Sequence, residues 1–173
     1  MNRLLPRLAF SPNADDFEEA LCAIGKLLGF ISTRPDKETG GEGSDNLWNL
    51  QQGTFWVIEC KSGATNEKIS KDYCNQLGGS IRWAQQKYGN EFSYIPIMVH
   101  KSTVCDEAAT PVDNMRVIDE WCLTKFVRQL SDFTLAVTQT PNWNNLSNTE
   151  VLLRDYKLRT SDLQNEYTKP CIK

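Results

Sequence analysis

"TFWVIECKSGAT", residues 54–65, is an apolar run that ends in a carboxylate and an ammonium. A short continuous apolar run of this kind is typical of a buried β-strand. Successive side chains of a strand point to opposite faces, so Glu59 and Lys61 share one face. The preceding side chains divide into Phe55 and Val57 on that face and Trp56, Ile58 and Cys60 on the other.

The segment before this strand predicts the other half of a β-hairpin. Residues 45–50, "DNLWNL", are largely apolar and are followed by the turn "QQG". If the turn centres on Gln52, facing residues have numbers that add up to about 104, which places Asp45 opposite Glu59. Asp45, Glu59 and Lys61 then converge at one end of the hairpin.

Two facing carboxylates at the end of an apolar strand are costly, because like charges repel and the groups are partly desolvated. A divalent cation removes this conflict, since Mg²⁺ binds one or two carboxylates together with water and substrate phosphate. Lys61 would then orient or deprotonate a water, or neutralise charge on a phosphate. The alternative is an ordinary Glu59–Lys61 ion pair on the solvent face of an edge strand.

Composition restricts the class of protein. A chain of 173 residues is long enough for one domain with a real core. The net charge of −3 argues against a protein that coats nucleic acid by charge alone. Six cysteines without a CxxC pair, and the single histidine His100, offer no zinc-ligand spacing. No stretch is apolar enough to span a membrane, so we expect a cytoplasmic protein with reduced cysteines.

The order of predicted elements indicates an α/β fold with a central mixed β-sheet flanked by helices. We expect helices within residues 11–30, 66–88 and 120–133, a polar loop over 34–44, and strands within 93–101 and 115–119. Pro96 in the first of these strands suggests an edge or a bulge. Residues 1–140 are expected to form the domain, and 141–173 a helical extension packed on or trailing it.

Four short motifs together resemble the PD-(D/E)XK nuclease superfamily, whose fold is restriction-endonuclease-like. They are "GSDNLW", the "ECK" that begins fourteen residues after Asp45, "FEEAL" in the preceding helix and "NQLGGS" in the following one. The resemblance is closer to the Mrr-like and helicase-associated branches and covers roughly residues 13–135. Ser44 replaces the motif proline. The literal Pro35–Asp36 pair is interpreted as a chance match, because its hairpin partner would lie near Lys68.

The resemblance implies roles for individual residues. Asp45 and Glu59 would bind Mg²⁺, with Mn²⁺ as a substitute, and the carbonyl of Cys60 would join them. Glu18 would reach the same metal from the first helix. Lys61 would position and activate the attacking water.

Two assignments on the helices are less direct. Glu19 competes with Glu18, because helical geometry alone does not separate the two, and for both the alternative is a charge that complements the helix dipole. Gln76 matches a glutamine that flanks the site in the family, although the tyrosine often found four residues later is Ser80 here.

The function that the resemblance implies is metal-dependent hydrolysis of phosphodiester bonds, as a DNA endonuclease. Relatives attached to helicases or ATPases suggest a domain of a larger defence or repair system. Affinity for DNA would come from dimerisation or from a partner module, since the surface is weakly acidic. Two alternatives remain open, a catalytically silent module that keeps the nuclease fold, and a nuclease that acts on RNA.

Overall fold

Residues 54–60 form the third strand of a six-stranded mixed sheet in the computed structural model, which describes residues 1, 3–11, 13–51 and 53–173. The strands lie side by side in chain order: β1 Ile31–Thr33, β2 Asn46–Asn49, β3 Thr54–Cys60, β4 Ser93–Val99, β5 Arg116–Ile118 and β6 Lys169–Pro170. The helices are α1 Ala14–Leu27, α2 Pro35–Thr39, α3 Lys71–Tyr88, α4 Glu120–Gln139, α5 Leu146–Asp155 and α6 Thr160–Tyr167, with a 3₁₀ turn at Leu5–Arg7. The predicted α/β fold is therefore confirmed.

Strands β2 and β3 are antiparallel and have the predicted register. Asn46 faces Ile58 and Asn49 faces Phe55. Continued by one residue, this register brings position 45 beside position 59. Gln52, on which the predicted turn was centred, lies outside the described residues.

Strands β3, β4 and β5 are parallel to one another, so their carboxyl ends lie at the same edge of the sheet. Pro96 was predicted to indicate an edge strand or a bulge, and the edge prediction is wrong, because β4 lies between β3 and β5. The proline is tolerated where pairing is incomplete. It faces Val57 on one side, whereas β5 pairs with β4 only over Ile97–Val99.

The side chains of β3 alternate between two hydrophobic cores. Trp56, Ile58 and Cys60 belong to a core that α1, α4 and α6 cover. Phe55 and Val57 belong to a second core, on the side of α3. The predicted alternation is confirmed, and it directs the charged residues at the end of β3 toward the α3 side of the sheet.

Three helices differ from the predictions, and one of them, α4, continues to Gln139 although it was expected to end near residue 133. Residues 34–44 were predicted to be loop, but Pro35–Thr39 form the short helix α2, with proline in the first turn, where its missing N–H costs nothing. The second long helix was expected to begin near residue 66 and begins at Lys71. Ser70 caps it, because its side chain accepts a hydrogen bond from the Tyr73 amide.

The segment after Thr140 contributes α5, α6 and β6. Three of its side chains, Leu158, Leu163 and Tyr167, are buried in the first core, and β6 pairs antiparallel with β5. None of the helices formed by the described residues is both long and apolar enough to cross a membrane.

Candidate metal centre

Asp45, Glu59 and Lys61 come together where β2 begins and β3 ends. Asp45 Oδ2 accepts a hydrogen bond of 2.6 Å from the Cys60 amide. Lys61 Nζ lies 3.1 Å from Glu59 Oε2 and 3.7 Å from Asp45 Oδ2. The lysine therefore bridges the two carboxylates that the hairpin register was expected to bring together.

A compact acidic cluster adjoins this pair. One oxygen each from Glu18, Asp36 and Asp45 lies within 4.8 Å of the others. Glu18 is buried, with 7% of its surface exposed. Its position is fixed because the Asn46 side-chain amide donates to the Glu18 carbonyl at 3.1 Å, which joins α1 to β2.

Asp36 enters this cluster from α2. Its backbone amide donates to the carbonyl of Ser44 at 3.3 Å, and this bond holds α2 against the start of β2. The interpretation of Pro35–Asp36 as a chance match to the motif did not anticipate this position, because a helix, and not the hairpin, brings Asp36 to Asp45. Its Oδ1 is buried and has no hydrogen-bond partner among the described residues.

Arg34 supplies the cation nearest to Glu18. Its guanidinium contacts Glu18 Oε2 at 2.5 Å and Asp15 Oδ1 at 2.8 Å. Glu19, the competing acid on α1, instead faces solvent and pairs with Arg7. The structure therefore places Glu18, and not Glu19, beside Asp45.

Electrostatics within the cluster favour bound positive charge. Burial and the neighbouring Asp45 raise the pKa of Glu18 to about 7, and Arg34 offsets only part of this effect. Burial also raises the pKa of Asp36. The protein's own cations therefore do not offset the effect of burial on Glu18 and Asp36.

Glu59 is held differently from the three clustered acids. Its Oε2 contacts Lys61, and its Oε1 accepts a hydrogen bond of 2.7 Å from the Ser80 hydroxyl. Burial, and then Asp45, raise the pKa of Glu59. Burial opposes the charge on Lys61, but Asp45 and Glu59 outweigh it and raise the lysine pKa. Lys61 is consequently an ammonium at neutral pH.

The remaining predicted residues lie around this arrangement. Cys60 contributes its amide to Asp45, and its thiol is buried in the first core. Gln76 is exposed on α3, one turn before Ser80. His100, which was not assigned to the site, is fully buried, and its Nδ1 accepts a hydrogen bond from the Ser102 amide.

Three contributors were not predicted as site residues: Asp36, Arg34 and Ser80. Asp36 and Arg34 lie in or beside the segment predicted to be loop, so no periodicity indicated which way they point. Ser80 was identified only as a departure from the family pattern. The literal "PD" was the one signal that could have identified Asp36.

Comparison with known proteins gives no assignment: no family model matches the chain, and neither do curated proteins or solved structures.

Proposed function

We propose that the protein is a metal-dependent phosphodiesterase of the PD-(D/E)XK type that acts on DNA as an endonuclease. The observation that carries this proposal is the convergence of Asp45, Glu59 and Lys61 with the buried Glu18 at one end of the hairpin. These are the residue types, in the order along the chain, that the resemblance implies.

The acidic cluster fits a divalent cation. Carboxylate oxygens are the ligands that Mg²⁺ and Mn²⁺ prefer, and Asp36 Oδ1 is a buried acceptor without a partner among the described residues. We therefore assign the metal to Glu18, Asp36 and Asp45. This set differs from the one that the resemblance implies, because both oxygens of Glu59 are already engaged by Lys61 and Ser80.

A bound Mg²⁺ would supply electrophilic stabilisation of the phosphate and lower the pKa of a water. Lys61 would neutralise charge that develops on the phosphate and orient the attacking water through its N–H donors. It would not take a proton at neutral pH, because its pKa is raised. Glu59 holds the ammonium in place, and Ser80 holds Glu59.

One observation favours a different function, a catalytically silent binding or assembly module. Arg34 and Lys61 already lie against Glu18 and Asp45, so two internal cations partly occupy the role of a metal. In that case the carboxylates would be structural, and divalent cations would bind weakly. Metal dependence of binding and cleavage separates the two functions.

The proposal of DNA as the substrate rests on the resemblance. The proposal of a partner rests on the resemblance and on the net charge of −3. A weakly acidic chain gains little affinity from phosphate neutralisation alone. We therefore propose that a second copy or a helicase or ATPase module contributes affinity. RNA is the alternative substrate, because a metal centre that contacts phosphate does not distinguish the sugars.

The test is a cleavage assay with supercoiled plasmid, linear duplex, single-stranded DNA and RNA, in Mg²⁺, Mn²⁺ or EDTA. We expect cleavage of DNA in either metal, none in EDTA, and none by Asp45→Ala or Lys61→Ala. Absence of any cleavage by the natural protein would favour the silent module. Cleavage that survives both substitutions would contradict the proposed site.

A further inference from the structure

A cleft of about 550 Å³ opens at the ends of β3 and β4. Three chain segments line it: residues 10–11 before α1, residues 62–67 after β3, and residues 101–102 after β4. The cleft begins at the residue that follows Lys61. It thus lies at the carboxyl ends of two parallel strands, which is where open α/β sheets bind their ligands.

The lining offers an aromatic ring, one cation, one carboxylate from the exposed Glu67, and several hydroxyls. Phe10 is half-buried, and Lys101 is exposed. Ser62, Thr65 and Ser102 contribute hydroxyl groups. A volume of about 550 Å³ lies within the usual range of small-molecule sites. A flat apolar face with nearby cationic and hydroxyl donors suits a nucleotide, whose base stacks and whose phosphate accepts hydrogen bonds.

Ser62 provides an independent sign that this cleft receives a polar ligand. Only 1% of its surface is exposed, and its Oγ has no hydrogen-bond partner among the described residues. A buried hydroxyl without a partner is less stable than a satisfied one. An acceptor that enters the cleft would supply that partner.

We propose that the cleft holds one unpaired nucleotide of the substrate strand, next to the bond that is cleaved. The base stacks on Phe10, the phosphate pairs with Lys101, and the Ser62 hydroxyl donates to the sugar–phosphate backbone. This inference rests on the proposed function and narrows its substrate class. A base inside a duplex is stacked between its neighbours, so the preferred substrate is single-stranded or locally unpaired.

The test measures binding without cleavage. A fluorescently labelled single-stranded oligonucleotide, and the same sequence as a duplex, are titrated with protein in Ca²⁺, and the length of the oligonucleotide is checked afterwards. The variants are Phe10→Ala, Phe10→Trp and Lys101→Ala. The matched control is Lys26→Ala, which removes another exposed lysine, in the last turn of α1.

We expect the natural protein to prefer the single strand. Phe10→Ala should weaken binding at least about fivefold, and Phe10→Trp should retain it, because stacking on an aromatic ring is worth about 1–3 kcal/mol per base. Lys101→Ala should weaken binding and reduce the salt slope by about 0.7, which corresponds to one lost phosphate contact on a single strand. Lys26→Ala should bind as the natural protein does.

Equal affinity for single strand and duplex, no measurable binding, or unchanged affinity in both Phe10→Ala and Lys101→Ala would overturn the proposal. The result of this binding test can be distinguished from the result of the cleavage assay. A protein that cleaves in Mg²⁺ but ignores the cleft substitutions would retain the proposed function and lose the cleft. If binding depends on the cleft residues but no cleavage occurs, the nucleotide site is supported and the proposed hydrolysis is contradicted.

Discussion

The carboxylates of Asp36 and Asp45 lie within 4.8 Å of each other, although one belongs to a short helix and the other precedes a strand. The hydrogen bond from the Asp36 amide to the Ser44 carbonyl produces this proximity. With Glu18 from α1, three separate elements thus contribute one carboxylate each. Arg34 contacts Glu18, and Lys61 contacts Asp45. Removing either cation should therefore change both the stability of the protein and its affinity for divalent cations.

Replacement of Arg34 by glutamine should tighten divalent cation binding. Arg34 contacts Glu18 and competes with a metal for its charge, so its removal is expected to lower the Kd for Mn²⁺ about fivefold. Isothermal titration calorimetry measures this change. Arg7→Gln is the matched control. Arg7 pairs with Asp16 and Glu19, which lie on the exposed side of α1, the helix that carries Glu18. Weaker Mn²⁺ binding by Arg34→Gln would mean that Arg34 positions Glu18.

Replacement of Glu18 by glutamine should stabilise the metal-free protein at alkaline pH. Its pKa is raised from 4.5 to about 7, so the folded state binds this proton more tightly than the unfolded state does. The resulting stability is fully present below pH 4.5 and is lost as the pH rises through 7. In EDTA at pH 8, Glu18→Gln should therefore increase the free energy of unfolding by about 1–3 kcal/mol.

The pH dependence supplies the control for this measurement. At pH 5 the protonated Glu18 resembles glutamine, so denaturant titration should show little difference between the two proteins. Glu19→Gln removes an exposed acid and should shift stability by less than about 0.5 kcal/mol at either pH. A Glu18→Gln variant that is less stable at pH 8 would contradict this interpretation.

Replacement of Lys61 by methionine should destabilise the fold through Glu59. This carboxylate is 5% exposed and would lose its cation, so the expected cost at pH 8 is about 3 kcal/mol. Adding Glu59→Gln removes the stranded charge and should recover most of the loss. Chemical denaturation of both variants measures these changes. A double variant no more stable than Lys61→Met would show that the loss does not come from the charge left on Glu59.

Replacement of Ser80 by alanine should affect the site more than replacement of Gln76. Ser80 donates to a buried carboxylate oxygen, and leaving that oxygen without a partner costs about 1–3 kcal/mol. Gln76 is exposed, so Gln76→Ala should change stability by less than about 0.5 kcal/mol. Under the proposed function, the cleavage rate should also fall further in Ser80→Ala than in Gln76→Ala. The reverse order of cleavage rates would support the role that the resemblance implies for Gln76.

The hairpin was predictable because local rules determine it. Period-two alternation sets the faces of β3, and a short turn sets its register against β2, so the meeting of Asp45 with Glu59 and Lys61 required no tertiary information. The first helix, α1, could also be predicted from the sequence. Asn13 caps it, because its side chain accepts a hydrogen bond from the Asp16 amide.

Long-range packing explains what sequence reasoning missed. Residues 34–44 are polar and rich in glycine, so nothing in their pattern shows that α2 folds back and places Asp36 beside Asp45. Ser80 lies on a helix whose rotation about its axis is fixed by the second core. Pro96 suggests an edge by propensity alone, and the short length of β5 makes it tolerable in a central strand.

The dependence of the cleavage rate on Mn²⁺ concentration tests most directly whether Glu18, Asp36 and Asp45 hold a catalytic ion. EDTA-treated protein is assayed with single-stranded DNA across a Mn²⁺ series, beside Asp36→Asn, Asp45→Asn and the exposed control Glu42→Gln. We expect no cleavage without metal, saturation in the natural protein and in the control, and at least a tenfold higher Mn²⁺ requirement, or no activity, in the two aspartate variants. Cleavage in EDTA, or Mn²⁺ curves for Asp36→Asn and Asp45→Asn that coincide with that of the natural protein, would contradict the assignment.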